Sequence, residues 1–215
     1  MLLHNFYFNT AVILIISYLI GAFPSAFIAG KIRGIDVRTI GSKNVGGMNV
    51  FSSAGKIAGI IVVIVDIGKG TLVAFLAVKF SNHHTFIPML AVVAAVIGHN
   101  WMIYIGFKGG KGLSTFFGGM LFLSPLSFLF LYLLFVPVAL ILTKDTYLGM
   151  GISLFFFSFF LWYREGSYYW CIFIILIAIV YSIKSFDLIK TYFTESRRDI
   201  SPILKKIFKP FFKNV

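Results

Sequence analysis

The chain is expected to be an all-α, polytopic integral membrane protein of about seven transmembrane helices, with its N-terminus outside and its C-terminus cytoplasmic. Composition is the first reason: of 215 residues, 59% are hydrophobic and 12% charged, and mean hydropathy is +0.95. A water-soluble domain carries about 45–50% apolar and roughly 25% charged residues, and a chain of this size has too little interior to hide the excess. The second reason is a succession of apolar runs near the roughly 20 residues needed to cross hydrocarbon. The third is where the basic residues fall between those runs. A soluble enzyme, a secreted disulfide scaffold and a disordered chain are excluded. Cys171, the single cysteine, lies within an apolar run, so no disulfide framework or thiolate metal site is available. A net charge of +12 on a soluble chain would suggest nucleic acid. Here it fits loops and a tail facing anionic lipid on the cytoplasmic side.

Taken in order, the first span covers residues 10–30 and ends at Lys31 and Arg33. It is too long for a cleaved signal peptide, and no small-residue cleavage site ends a short apolar core. Spans two and three cover 57–78 and 86–105. Residues 113–142 are almost continuously apolar, interrupted by Ser124-Pro125, and cross either once or twice. Further runs cover 147–163 and 168–183. Charge separates six spans from seven. With a bend near Pro125 and seven spans, every Lys and Arg except Lys69, Lys79 and Arg164 lies inside, including Lys144 and the tail. With one crossing, the basic first loop and the basic tail fall on opposite sides. The positive-inside bias favours seven, at the cost of a short span before Pro125 that needs thinning, tilt or a partly re-entrant path. Residues 1–183 thus form the membrane domain. Residues 184–215, basic with interleaved aromatics, form a tail expected to lie on the inner leaflet rather than on nucleic acid.

Two glycine-rich, lysine-bearing loops fall on the predicted inner side: Gly41-Ser-Lys-Asn-Val-Gly-Gly-Met-Asn49 and Gly106-Phe-Lys-Gly-Gly-Lys-Gly112. Glycine lets backbone N–H groups converge on an anion and lysine adds a point charge. The second loop feeds a helix N-terminus, which favours phosphate. It is not a Walker A loop, because Leu113 takes the Ser/Thr place. Either loop alone also reads as a tight cytoplasmic turn. Asp66 and Lys69, three residues apart inside the second span, share a helix face. Each costs about 2.5–3.5 kcal/mol at that depth, so they should pair with each other or face the bundle interior. The pair either locks the helix or puts Lys69 near an anionic site. His99 reads as a hydrogen-bonded structural residue or as a base. His83 and His84 lie in the predicted outer loop without a third ligand, and no metal or cofactor is expected. No GxSxG, His-x4-Asp or HExxH pattern occurs.

Together these residues resemble the bacterial integral-membrane glycerol-3-phosphate acyltransferases that use acyl phosphate, the PlsY family. Its first loop, approximately G-S-x-N-x-G-x-T-N-x-x-R, is matched by Gly41, Ser42, Asn44, Gly46 and Asn49. Its second, approximately G-H-x-x-P-x-F-x-x-F-K-G-G-K-G-x-A-T, is matched by Gly98, His99, Phe107, Lys108, Gly109, Gly110, Lys111, Gly112 and Thr115. Gly21-Ala-Phe-Pro24 is similar to its G-S-I-P, and Asp66-x-x-Lys69-Gly70 to its D-x-x-K-G. The likeness covers about residues 21–119. Met48, Ser52 and Met102 depart from the family's threonine, arginine and proline. The third motif, approximately R-H-x-x-N-I-x-R, is missing, with Lys184 and Asp187 at its histidine and asparagine.

The resemblance implies acyl transfer from acyl phosphate to glycerol 3-phosphate at a cytoplasmic membrane, with lysophosphatidic acid as product and membrane lipids as surroundings. Ser42, Lys111 and His99 are the expected catalytic residues. Gly41, Asn44, Gly46, Asn49, Lys108, Gly109, Gly110, Gly112, Thr115 and Lys69 are expected to bind substrate, the second loop on the donor phosphate and Ser42 with Asn44 on the acceptor. The altered acceptor motifs leave two other outcomes open. One is an inactive homologue that binds lipid or phosphate. The other is a small-anion transporter lined by Asp66, Lys69 and the loops.

Overall fold

A computed structural model of the chain describes residues 2–81, 84–143 and 146–186. His83, Lys144, Asp187 and the rest of the basic tail lie outside the described residues. Every regular element among those described is helical. They form one compact unit ending at Leu126 and a second beginning at Ser127.

The first unit holds α1 (Leu2–Gly21), α2 (Ser25–Ile32), α3 (Gly47–Ser53), α4 (Lys56–Phe80), α5 (Phe86–Asn100) and α6 (Leu113–Leu123). The first span starts earlier than its hydropathy suggests and is broken after Gly21. Pro24 has no N–H to continue the ladder and forces the residue before it out of helical backbone. The chain restarts at once, with the Ile28 N–H donating to the Pro24 carbonyl at 3.0 Å. Such a break leaves helix-end carbonyls needing a partner inside the bilayer. Lys69, from the middle of α4, supplies it by donating to the Gly21 carbonyl at 3.1 Å and the Phe23 carbonyl at 2.9 Å.

The helices of this unit approach closely because glycines face neighbouring backbone, the small-residue packing typical of membrane bundles. A Cβ at Gly70 of α4 would overlap the Thr115 carbonyl of α6, and one at Gly118 would overlap the Ile67 carbonyl of α4. Thr71 Oγ1 adds a hydrogen bond to the Gly118 carbonyl at 3.0 Å. Gly98 of α5 lies on the Tyr18 carbonyl of α1 in the same way. Gly59 of α4 does the equivalent for α3, since it faces the Phe51 backbone. Beneath the first loop, Ala22, Ala26, Val37, Val45, Val50 and Met102 form a dry cluster. Ile57, Ile60, Ile61 and Ile64 of α4 are exposed, as a lipid-facing stripe requires.

The apolar stretch 113–142 is interrupted at Ser124, where the sequence places a bend. α6 has 11 residues, about 16 Å of helix, against roughly 30 Å of hydrocarbon. Pro125 then opens α7 (Pro125–Phe130) at the first helical position, which tolerates its missing N–H. The second unit continues through a π-helical turn (Leu131–Phe135), α8 (Val136–Thr143), α9 (Thr146–Glu165) and α10 (Tyr169–Lys184). Ser153 of α9 donates to the Phe135 carbonyl at 3.0 Å, at the end of the π turn. Phe135, Phe157 and Phe160 fill the space beside it, with ring centroids 5.5–5.9 Å apart. Among the described residues, four helical stretches are long and apolar enough to cross a membrane (Phe6–Ile32, Lys56–Phe80, Phe86–Ile105 and Pro125–Thr143), and Leu113–Leu123 and Tyr169–Lys184 are shorter apolar helices.

Candidate active site

The site grows from the buried middle of α4. Asp66 and Lys69 pair at 2.9 Å with side chains 2% and 6% exposed, as their spacing and depth demand. Ser25, in the first turn of α2, donates to Asp66 Oδ1 at 2.6 Å. The three protons of the Lys69 ammonium therefore have Asp66 and the carbonyls of Gly21 and Phe23 as acceptors. His99, near the end of α5, lies on this cluster. Its Nδ1 is 3.4 Å from Lys69 Nζ, 3.3 Å from Thr115 Oγ1 of α6 and 3.8 Å from Asp66 Oδ1. Five helices, α1, α2, α4, α5 and α6, thus meet at one polar knot in an apolar bundle.

The second loop rests on that knot. Trp101 to Gly112 leave helical geometry through a short 3-10 turn at Ile103–Ile105. The loop then returns, with the Gly110 N–H donating to the His99 carbonyl at 3.1 Å. Gly109 and Gly110 are buried, Lys108 is exposed and Lys111 half-buried. A Cβ at Gly109 would lie 2.6 Å from the Asn100 carbonyl oxygen; one at Gly110 would overlap His99 Nε2 and lie 2.6 Å from the Val45 carbonyl oxygen. Gly112, at φ +78°, turns the chain into α6. The first intrahelical bond there runs from the Phe116 N–H to the Gly112 carbonyl. The amides just before it are free of intrahelical acceptors and face an anion-attracting helix end.

The Val45 contact brings the first loop against the second. That loop is shaped by Asn49, 2% exposed. Its Nδ2 donates to the carbonyls of Val37 at 2.8 Å and Ile40 at 3.1 Å, and its Oδ1 accepts the Ser42 N–H at 3.1 Å. Gly41, at φ +61°, is where the chain folds over this carboxamide. Asn49 acts on the loop backbone, while Ser42 stays exposed and Asn44 half-buried. Gly46 donates to the Asn44 carbonyl at 3.0 Å. Ahead of the loop, Arg38 closes on Asp36 at 2.6 Å, and its guanidinium lies 4.6 Å from the Phe27 ring centroid. Hydrogen bonds from the Arg38 side chain, then from its backbone, hold the Asp36 carboxyl well below the usual carboxylate range.

All the expected site residues therefore lie in the first unit, at the two loops or on the knot beneath them. Lys184, at the missing third motif, ends α10 in the second unit. His84 packs on Phe6, with ring centroids 4.7 Å apart. Ser25 and Val45 were not legible as site residues. Ser25 has one signal, a hydroxyl directly after the proline that breaks the span. Val45 contributes a carbonyl, which no side chain announces.

Fold and site define a multi-helix membrane protein with two glycine loops joined over a buried ion pair. Residues 11–194 match the family described as Glycerol-3-phosphate acyltransferase, and the chain belongs to that family. It is 38% identical over 176 residues to Glycerol-3-phosphate acyltransferase 1 of Dehalococcoides mccartyi, covering 80% of this chain and 85% of that one. It is 52% identical over 127 residues to the Glycerol-3-phosphate acyltransferase of a Geobacillus species, covering 59% and 62%. The fold is similar to the crystal structure of PlsY, an integral membrane glycerol 3-phosphate acyltransferase, in its glycerol 3-phosphate form. The TM-score is 0.76 at 28% identity, over 93% of this chain and 98% of that one. The lysophosphatidic acid form gives 0.75 over the same shares.

Proposed function

We propose that this protein transfers a fatty acyl group from acyl phosphate to the 1-hydroxyl of glycerol 3-phosphate, at the cytoplasmic face of the inner membrane, as a step of phospholipid synthesis. The observation that carries this reading is the contact of the two glycine loops at Gly110 and Val45 over His99. It joins a cationic, amide-rich loop suited to a phosphate with a second polar loop that can present a hydroxyl substrate beside it.

Acyl phosphate is a mixed anhydride, so positioning and charge stabilisation suffice and no covalent enzyme intermediate is needed. The acceptor oxygen bonds to the acyl carbon, and the bond from that carbon to the phosphate oxygen breaks. Phosphate leaves with its electron pair, and the hydroxyl proton passes to the acceptor's own phosphate. Lys108 and Lys111, with the amides of Gly109, Gly110 and Gly112, hold the departing phosphate. Ser42 and Asn44 orient the acceptor, while Gly41, Gly46 and Asn49 give their loop its shape. Lys69 and Thr115 act from beneath, through His99.

An apolar groove of about 390 Å³ supports an amphiphilic donor. It runs between α1 and α4, from Ile20 and Val73 to Phe8 and Phe80. Its near end is about one helical turn from Lys69, and it suits an acyl chain. The test uses purified protein, palmitoyl phosphate and labelled glycerol 3-phosphate. Labelled lysophosphatidic acid is expected, with strong loss in Lys111→Ala. Product formation unchanged by Lys111→Ala sinks the assignment of the loop. Phosphate binding without turnover on any acceptor indicates an inactive binding homologue.

A further inference from the structure

His99 faces two sets of neighbours, one at each ring nitrogen. Around Nδ1 stand the Thr115 hydroxyl at 3.3 Å, the Lys69 ammonium at 3.4 Å and Asp66 Oδ1 at 3.8 Å. Of these, Asp66 Oδ1 alone is purely an acceptor. It already accepts from Ser25 at 2.6 Å and Lys69 at 2.9 Å, and 3.8 Å is beyond hydrogen-bond reach. The threonine hydroxyl can donate or accept, but an ammonium can only donate. A proton on Nδ1 would point its positive end at that ammonium. Nδ1 is therefore the acceptor, and in a neutral imidazole the proton then resides on Nε2. Nε2 lies against Gly110, at the spot where the Val45 carbonyl meets the second loop.

We infer that His99 is a neutral Nε2–H donor, fixed in that tautomer by Lys69 and Thr115, which pins the junction of the two glycine loops and acts as a positioning residue rather than as a base. The inference rests on the proposed acyl transfer for its kinetic consequence but not for its structural content. It also gives Asp66 and Ser25 an indirect role, since they orient the lysine that sets the tautomer.

Two measurements test it. The first is ¹⁵N spectroscopy of histidine-labelled full-length protein in lipid nanodiscs, with the His99 signal identified by its loss in His99→Gln. A directly bonded proton on Nε2 is expected. A proton on Nδ1 overturns the inference whether or not any acyl transfer is detected. The second compares His99→Gln, whose amide reaches the Nε2 position, with His99→Asn, whose amide reaches only Nδ1. A shift of the loop junction should lower kcat/KM roughly 100-fold in the Asn variant and only several-fold in the Gln variant. Equal loss in both variants, as for a base, or better retention in Asn, overturns it.

Discussion

At Gly110 a single hydrogen does what no side chain could. The residue is wedged between the His99 ring and the Val45 carbonyl oxygen, so one added methyl has no room on either side. Gly110→Ala should separate the loops and lower acyl transfer by roughly 100-fold, the scale of a misplacement near 1 Å. The assay is turnover in membranes, with thermal unfolding to show that the bundle persists. Glycine and lysine in the loops, and the three-residue spacing of Asp66 and Lys69, were legible because the residue type carries the property. The work of Asn49 was less so. Its place in a motif does not reveal that its carboxamide is committed to the Val37 and Ile40 carbonyls and the Ser42 amide. The approach to this loop also carries a pH signature. The Asp36 carboxyl is held down by Arg38, so its contribution is present above the ordinary carboxylate range. It is lost only as pH falls through the lowered value. Asp36→Asn should therefore sit at a constant offset below the native unfolding temperature from pH 7 to about 5. The two curves should converge at the acid end, and convergence near neutrality would contradict the pairing.

Among the elements, the break between α1 and α2 shows what periodicity hides. Hydropathy reads one span across residues 10–30, whereas Pro24 divides it and Lys69 collects the carbonyls left at the break. A long-range partner of this kind has no local signal. The short α6 is different: Ser124-Pro125 and the unbroken apolarity around it mark the interruption in advance, and proline fixes its place. The groove between α1 and α4 is also invisible to sequence, because it depends on the separation of two helices. Its occupant is testable. Leu76→Trp, at a half-buried position lining the groove near Phe80, should shift donor preference toward shorter chains. The readout is the ratio of rates with dodecanoyl and hexadecanoyl phosphate. An unchanged ratio would move the chain elsewhere.

For the whole molecule, charge distribution predicts an orientation that can be checked directly. Residues 31–56 and 106–112 are expected inside and Lys79 outside. In a Cys171→Ser background, Lys43→Cys should react with an impermeant maleimide only after the cytoplasmic side is opened, and Lys79→Cys should react in intact cells. The reverse pattern, or the same side for both, would replace the seven-span orientation. The apolar runs were readable in the sequence because bilayer thickness sets their length. The closing of two loops on one ion pair was not, because it depends on five helices arriving at the same place.

The Asp66–Lys69 pair also bears on biogenesis. Both charges belong to one helix, three residues apart, and neutralise each other at 2.9 Å. α4 therefore carries its counter-ion within its own sequence and should partition into lipid as a neutral pair. Strip either member and the segment arrives as a lone ion, a cargo of about 2.5–3.5 kcal/mol on insertion scales. Strip both and delivery recovers while the polar knot is gone. Insertion of the helix and assembly of the knot should therefore respond differently to single and double replacement of these two residues.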